Sequence, residues 1–180
     1  MTTYVALLRA VNVAANNPLR MRDLAAWLGG LGFANVRTVL QTGNAIFTTR
    51  ARPTATLERK LEVHAAADLR LTTSFFVMTA DEWRAAVARN PFTQEAARDP
   101  ARLVAVVMKA APGHERVATL RAAIVGRERV HGEGRVLYAV YPDGQGRSTL
   151  TGALIARHLG TPGTARNWNT VLKLAAALTD

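Results

Sequence analysis

Cysteine is absent from the 180-residue chain, which removes disulfides, thiolate metal sites and a thiol nucleophile together. Serine is almost absent. Ser74 falls in a strand-like run and Ser148 in a turn, and neither stands in a Gly-x-Ser-x-Gly elbow. The histidines, His64, His114, His131 and His158, are isolated from one another, and no pair of carboxylates shows metal spacing on one face. Neither a metal nor a cofactor is therefore expected. No apolar run approaches the roughly 20 residues of a membrane span. The start, Met-Thr-Thr-Tyr, lacks the basic n-region of a signal peptide, so a cytoplasmic protein is expected.

Apolar residues make up 49% of the chain, enough for a real core and too many for disorder. Basic residues outnumber acidic ones 23 to 13, which favours an anionic partner. The excess is spread evenly: residues 1–90 hold 11 basic and 6 acidic side chains, residues 91–180 hold 12 and 7. Lysine supplies only Lys60, Lys109 and Lys173, and no dense basic run occurs. An arginine excess of this kind follows equally from genome base composition, so charge alone does not identify a nucleic-acid partner.

Periodicity gives the elements in order. Thr3 to Ala10 reads as a buried strand, and Asn16-Asn17-Pro18 as turn residues. Met21 to Leu31 is an amphipathic helix stopped by Gly32. Asn35–Gln41 and Ala45–Thr49 are strands joined by Thr42-Gly43-Asn44, with the glycine and asparagine that tight hairpins need. A helix over Thr54–Asp68 and a strand over Leu71–Met78 follow. Thr79 and Glu82 then match a capping box that opens a helix to Arg89, and Asn90-Pro91-Phe92 ends it around a buried phenylalanine. Trp27 and Trp83 sit at core spacing.

The pattern then repeats about a hundred residues on: strand 102–109, helix 112–124, strands 129–132 and 136–141, helix 149–159 and a short strand 163–167. The chain reads as α+β, two ferredoxin-like (split β-α-β) halves with antiparallel sheets and an extra helix after each, dividing at 1–92 and 93–180.

Three polar groups could carry function. The stretch Thr164 to Leu174 opens the last helix, with Trp168, Val171, Leu172, Ala175 and Leu178 on one face. Asn167 is a candidate N-cap, or Arg166, Asn167 and Asn169 line a site for an anion at a helix N-terminus. The loop from Pro142 to Thr149 carries two glycines, Arg147 and Ser148, and either Ser148 or Thr149 would cap the helix after it. Its free amides would suit a phosphate, although no Walker A spacing is present. Arg9, Asn12, Gln41 and Asn44 form the third group, with turn geometry as their plainer explanation.

Several segments together, Leu7-Leu8-Arg9-Ala10-Val11-Asn12, Leu31-Gly32-Phe33, Gln41-Thr42-Gly43-Asn44, Asn90-Pro91-Phe92, Tyr141-Pro142-Asp143-Gly144 and Arg166-Asn167-Trp168-Asn169, resemble the bacterial domain of unknown function 1697 family. The resemblance implies two similar α+β halves and brings no activity with it. Arg9, Asn12, Asn44, Ser148, Arg166, Asn167 and Asn169 match the family pattern. Ala10 and Ala14-Ala15 stand where family members usually show glycine, and Thr149 where a lysine commonly stands.

The leading expectation is an anionic ligand, nucleic acid or a nucleotide, held in a basic cleft by Arg9, Asn12, Asn44, Arg147, Ser148, Arg166, Asn167 and Asn169. A metal-independent enzyme acting on a small phosphorylated or carboxylated substrate is the second reading, and it lacks an obvious base. A protein-interaction scaffold is the third. Oligomeric state is not legible.

Overall fold

The computed structural model describes residues 1–11 and 19–179, so Asn12 and the turn at Asn16-Asn17-Pro18 lie outside the described residues. The first βαββαβ set is β1 (Thr2–Leu8), α1 (Met21–Gly30), β2 (Ala34–Thr38), β3 (Asn44–Thr49), α2 (Thr54–Asp68) and β4 (Phe75–Thr79). Then come α3 (Ala80–Ala88) and a short α4 (Thr93–Arg98), which the sequence pattern did not show. The second set is β5 (Leu103–Met108), α5 (His114–Ala122), β6 (Arg129–Glu133), β7 (Val136–Val140), α6 (Gly152–Leu159) and β8 (Gly163–Asn167), closed by α7 (Trp168–Ala177).

Each set folds as a four-stranded antiparallel sheet, in the orders β2-β3-β1-β4 and β6-β7-β5-β8. These are equivalent orders, so the chain is the twin ferredoxin-like α+β fold that its periodicity implies. Among the described residues two compact units form: Met1–Arg84 with the chain from Lys173 onward, and Ala85–Leu172.

In the first unit, Leu24 and Leu28 of α1 and Leu57, Leu61 and Ala65 of α2 cover one sheet face built from Tyr4, Ala6, Leu8, Ala45, Phe47, Phe75 and Val77. Phe33 and Tyr4 both stack on Phe47, with ring centroids 4.3 and 5.9 Å away. In the second unit Val117, Leu120, Ile155 and Leu159 cover Val104, Val106, Met108, Leu137 and Ala139. Strands β1, β5 and β7 are buried along both faces, which is why they read as unbroken apolar runs rather than alternating ones.

Local signals place several boundaries. Glu82 Oε2 accepts from Thr79 N at 2.7 Å, and Thr79 Oγ1 accepts from Glu82 N at 3.1 Å, so the capping box is reciprocal. Asn167 caps α7, its Oδ1 accepting from Thr170 N at 3.0 Å. The cap of α6 differs from both expected residues: Thr151 Oγ1 accepts from Leu154 N at 3.2 Å, and a 3₁₀ turn at Gln145–Arg147 precedes it. On α7, Leu174 is buried and Leu172 is exposed, so the apolar face is rotated from the expected one. Phe92 is only half-buried, with the Arg129 guanidinium 5.2 Å above its ring.

Candidate functional site

Strand register gathers the Arg9 and Asn44 group at one end of the first sheet. Leu8 pairs with Phe75 and Leu7 with Asn44, so the residues after β1, before β4 and before β3 lie side by side. Arg9 N–H donates to Ser74 O at 3.0 Å, and Thr73 Oγ1 donates to Arg9 O at 2.6 Å, which pins the chain leaving β1. An open hollow of about 410 Å³ results, lined by Arg9, Ala10, Glu62, Ala66, Thr72, Thr73 and Ser74. Among the described residues its lining holds one arginine, three hydroxyl-bearing residues and one glutamate. The carboxylate is already engaged, because Glu62 Oε1 accepts from Phe75 N at 2.9 Å. No ion pair joins Arg9 to a described acidic residue.

Asn44 is beside this end and turned inward. It is fully buried, and its Nδ2 donates to Val39 O at 2.8 Å and Thr42 Oγ1 at 3.0 Å. These bonds close the β2–β3 turn, where Gly43 holds φ +74°. A Cβ on Gly43 would stand 2.4 Å from Val11 Cγ2, so both space and conformation require glycine there.

The Pro142–Thr149 loop and the Arg166-Asn167-Asn169 stretch share one end of the second sheet. Leu103 and Arg129 both pair with Val140, and Val104 pairs with Asn167, so the loop after β7, the start of β6 and the end of β8 are neighbours. Arg147 is exposed there on the 3₁₀ turn. Ser148 Oγ donates to Glu128 Oε1 and accepts from Leu150 N at 3.0 Å, locking the loop to the strand start. The other carboxylate oxygen of Glu128 is buried without a hydrogen-bond partner. Glu128 gave no sequence signal, since it lies twenty residues from the serine it binds.

Cations abound at this end, and most are already neutralised. Arg127 grips Asp143 through both Nε and Nη2, Arg129 contacts Glu95, and Arg102 Nε meets Asp99 at 2.9 Å. The hydrogen bonds from Arg127 and Arg129 hold the Asp143 and Glu95 carboxyls below the usual carboxylate range.

Arg166 faces elsewhere. It is only 8% exposed, on the sheet face shared with Ala105, and its Nη1 donates to Thr164 Oγ1 at 3.0 Å and Ala165 O at 2.9 Å. Burial pushes its pKa down to about 10. Asn169 is exposed in the first turn of α7. The structure thus brings Arg147, Ser148, Asn167 and Asn169 to one sheet end, with the Arg166 guanidinium buried on a sheet face.

The two gatherings are not repeat-equivalent. Arg9 follows the C-terminal end of β1, whereas Arg147 and Asn167 lie at the N-terminal end of β5, the counterpart of β1. The residue equivalent to Arg9 is Lys109.

Fold and site together define a twin ferredoxin-like α+β protein with a polar hollow at a sheet end. The chain belongs to the family described as protein of unknown function, DUF1697, whose sequence profile matches residues 1–138. The conserved bacterial protein SP0830 from Streptococcus pneumoniae has a similar structure, with a TM-score of 0.71 and 24% identity over 98% of each chain. That likeness is one of fold. No curated protein gave a significant match.

Proposed function

We propose that this protein binds a small anionic ligand, a nucleotide or another phosphate- or carboxylate-bearing metabolite, in the hollow at Arg9. One observation carries the proposal: Arg9 lines a cavity of about 410 Å³ together with Thr72, Thr73 and Ser74, and it makes no ion pair with a described acidic residue. Most arginines at the other candidate end are matched to carboxylates, and a matched arginine must give up its partner before it can hold a ligand. The hollow has the size of a small-ligand pocket. A guanidinium offers a fixed fork of donors to a phosphate or carboxylate, and Thr72, Thr73 and Ser74 line the same hollow. A nucleic acid would need a longer track of unneutralised cations.

Thermal unfolding with pyrophosphate, nucleoside triphosphates and dicarboxylates, at matched ionic strength, tests this. A ligand at about a hundred times its Kd stabilises by about 2.7 kcal/mol, which raises Tm by roughly 5–10 °C for a chain of this size. The rise is expected in the native chain and in Arg147→Ala, and is lost in Arg9→Ala. Equal shifts in Arg9→Ala, or no shift with any anion, overturn the proposal.

A further inference from the structure

The two sheets have four outer edges, and three are obstructed. On β4, alternate N–H groups pointing away from β1 are each taken by a carboxylate: Phe75 N by Glu62 at 2.9 Å, Val77 N by Glu58 at 2.9 Å and Thr79 N by Glu82 at 2.7 Å. On β2 the register shifts between Ala34 and Arg37, and Asn35 takes φ +51°, so that edge is bulged. On β6 the Arg121 guanidinium covers Val130 O at 3.2 Å. Such devices keep edges from pairing with other chains.

The fourth edge, β8, is treated differently. Lys109 N–H donates to Pro162 O, which sets the alternation: Thr164 and Arg166 address β5, while Gly163, Ala165 and Asn167 address solvent. Among the described residues the outward N–H groups of these three make no hydrogen bond. Ala165 and Asn167 are exposed and Gly163 half-exposed. One outward acceptor, Ala165 O, takes the Arg166 guanidinium at 2.9 Å and keeps a second lone pair.

We propose that the outer edge of β8 accepts an extended acidic peptide segment as a fifth strand of the second sheet, hydrogen-bonded to Gly163, Ala165 and Asn167. Backbone pairing supplies the attraction in strand addition, and flanking side chains supply the choice of partner. Charge selects the occupant. Residues 85–172 hold twelve basic and six acidic side chains, so an acidic segment is drawn to this unit and a second copy of the chain repelled.

Amide exchange and chemical-shift mapping of the ¹⁵N-labelled full chain with an eight-residue peptide alternating valine and glutamate tests the assignment. Shifted resonances, and exchange slowed roughly tenfold, are expected at Ala165 and Asn167. The same peptide N-methylated at alternate residues, and a lysine version of it, are expected to leave both unchanged. Ala165→Pro removes the central donor from an edge that tolerates proline and is expected to abolish the effect; the N-methylated peptide carries the same test without altering the protein. Unchanged exchange at millimolar peptide, equal binding of the N-methylated or lysine peptide, or protection of these amides by self-association alone overturns the proposal.

Discussion

Ala10 holds φ +54°, a conformation that disfavours any side chain and suits glycine. Its methyl group also lines the Arg9 hollow. Ala10→Gly is therefore expected to raise stability by about 1 kcal/mol, seen as a Tm increase of roughly 2–4 °C; a decrease would show that the methyl packs favourably enough to outweigh the strain. Ser148 is the opposite case. Its hydroxyl satisfies one oxygen of a carboxylate whose other oxygen is already buried without a partner. Ser148→Ala is expected to destabilise by about 1–3 kcal/mol in urea titration, and an unchanged midpoint would mean that water replaces the hydroxyl.

The tyrosines give a residue-level pH signature. Burial, and secondarily Glu133, pushes the Tyr138 phenol up to about 12, and burial with Glu128 does the same for Tyr141. Their hydroxyls donate to Ala86 O at 2.5 Å and Leu150 O at 3.1 Å. A phenol whose folded pKa lies above its unfolded value of about 10 contributes stability that is complete below pH 10 and lost as pH rises towards 12. Tyrosinate absorbance near 295 nm is thus expected to show these two ionising late, together with loss of the fold. Ionisation of Tyr138 and Tyr141 near pH 10 in the folded chain would contradict the burial argument.

Among the elements, β4 shows how an edge strand is secured from outside the sheet. Glu58 is buried, and its Oε1 serves Val77 N; Glu62, one helical turn on, serves Phe75 N. The i, i+4 spacing on α2 matches the two-residue step of the strand it lies against. Glu58→Ala would leave a buried amide without an acceptor and is expected to lower stability by about 1–3 kcal/mol, measured as a lower urea midpoint at constant m-value. Helix α2 also shows what sequence could convey. Its span was legible because Pro53 and the apolar spacing of Leu57, Leu61 and Ala65 agree locally. Start signals that are local, such as Thr79–Glu82 and Asn167, were legible for the same reason. Boundaries fixed by distant partners were not. Ser148 loses the α6 cap to Thr151 because its hydroxyl is drawn to Glu128, and α4 buries no residue that could mark it with an apolar stripe.

At the scale of the whole chain the basic excess of ten does not locate a site, because it is even along the sequence. Sequence could nominate Arg9, Arg147 and Arg166 as cations near turns. It could not tell that Arg166 is buried on a sheet face, that Asn44 faces its own turn, or that Arg9 lines a hollow with Thr72, Thr73 and Ser74. Those distinctions depend on strand register, which is non-local. They also separate two kinds of anion binding. A nucleic-acid track that releases counterions from many phosphates gives a log–log salt slope of about −0.7 per single-strand contact. One guanidinium in a small hollow engages one anionic group, so the slope for a nucleotide at this site is expected to be no steeper than about −0.7 and to vanish with Arg9→Ala. A slope several times steeper for oligonucleotides, unchanged by Arg9→Ala, would transfer the anion site from the hollow to the distributed arginine surface.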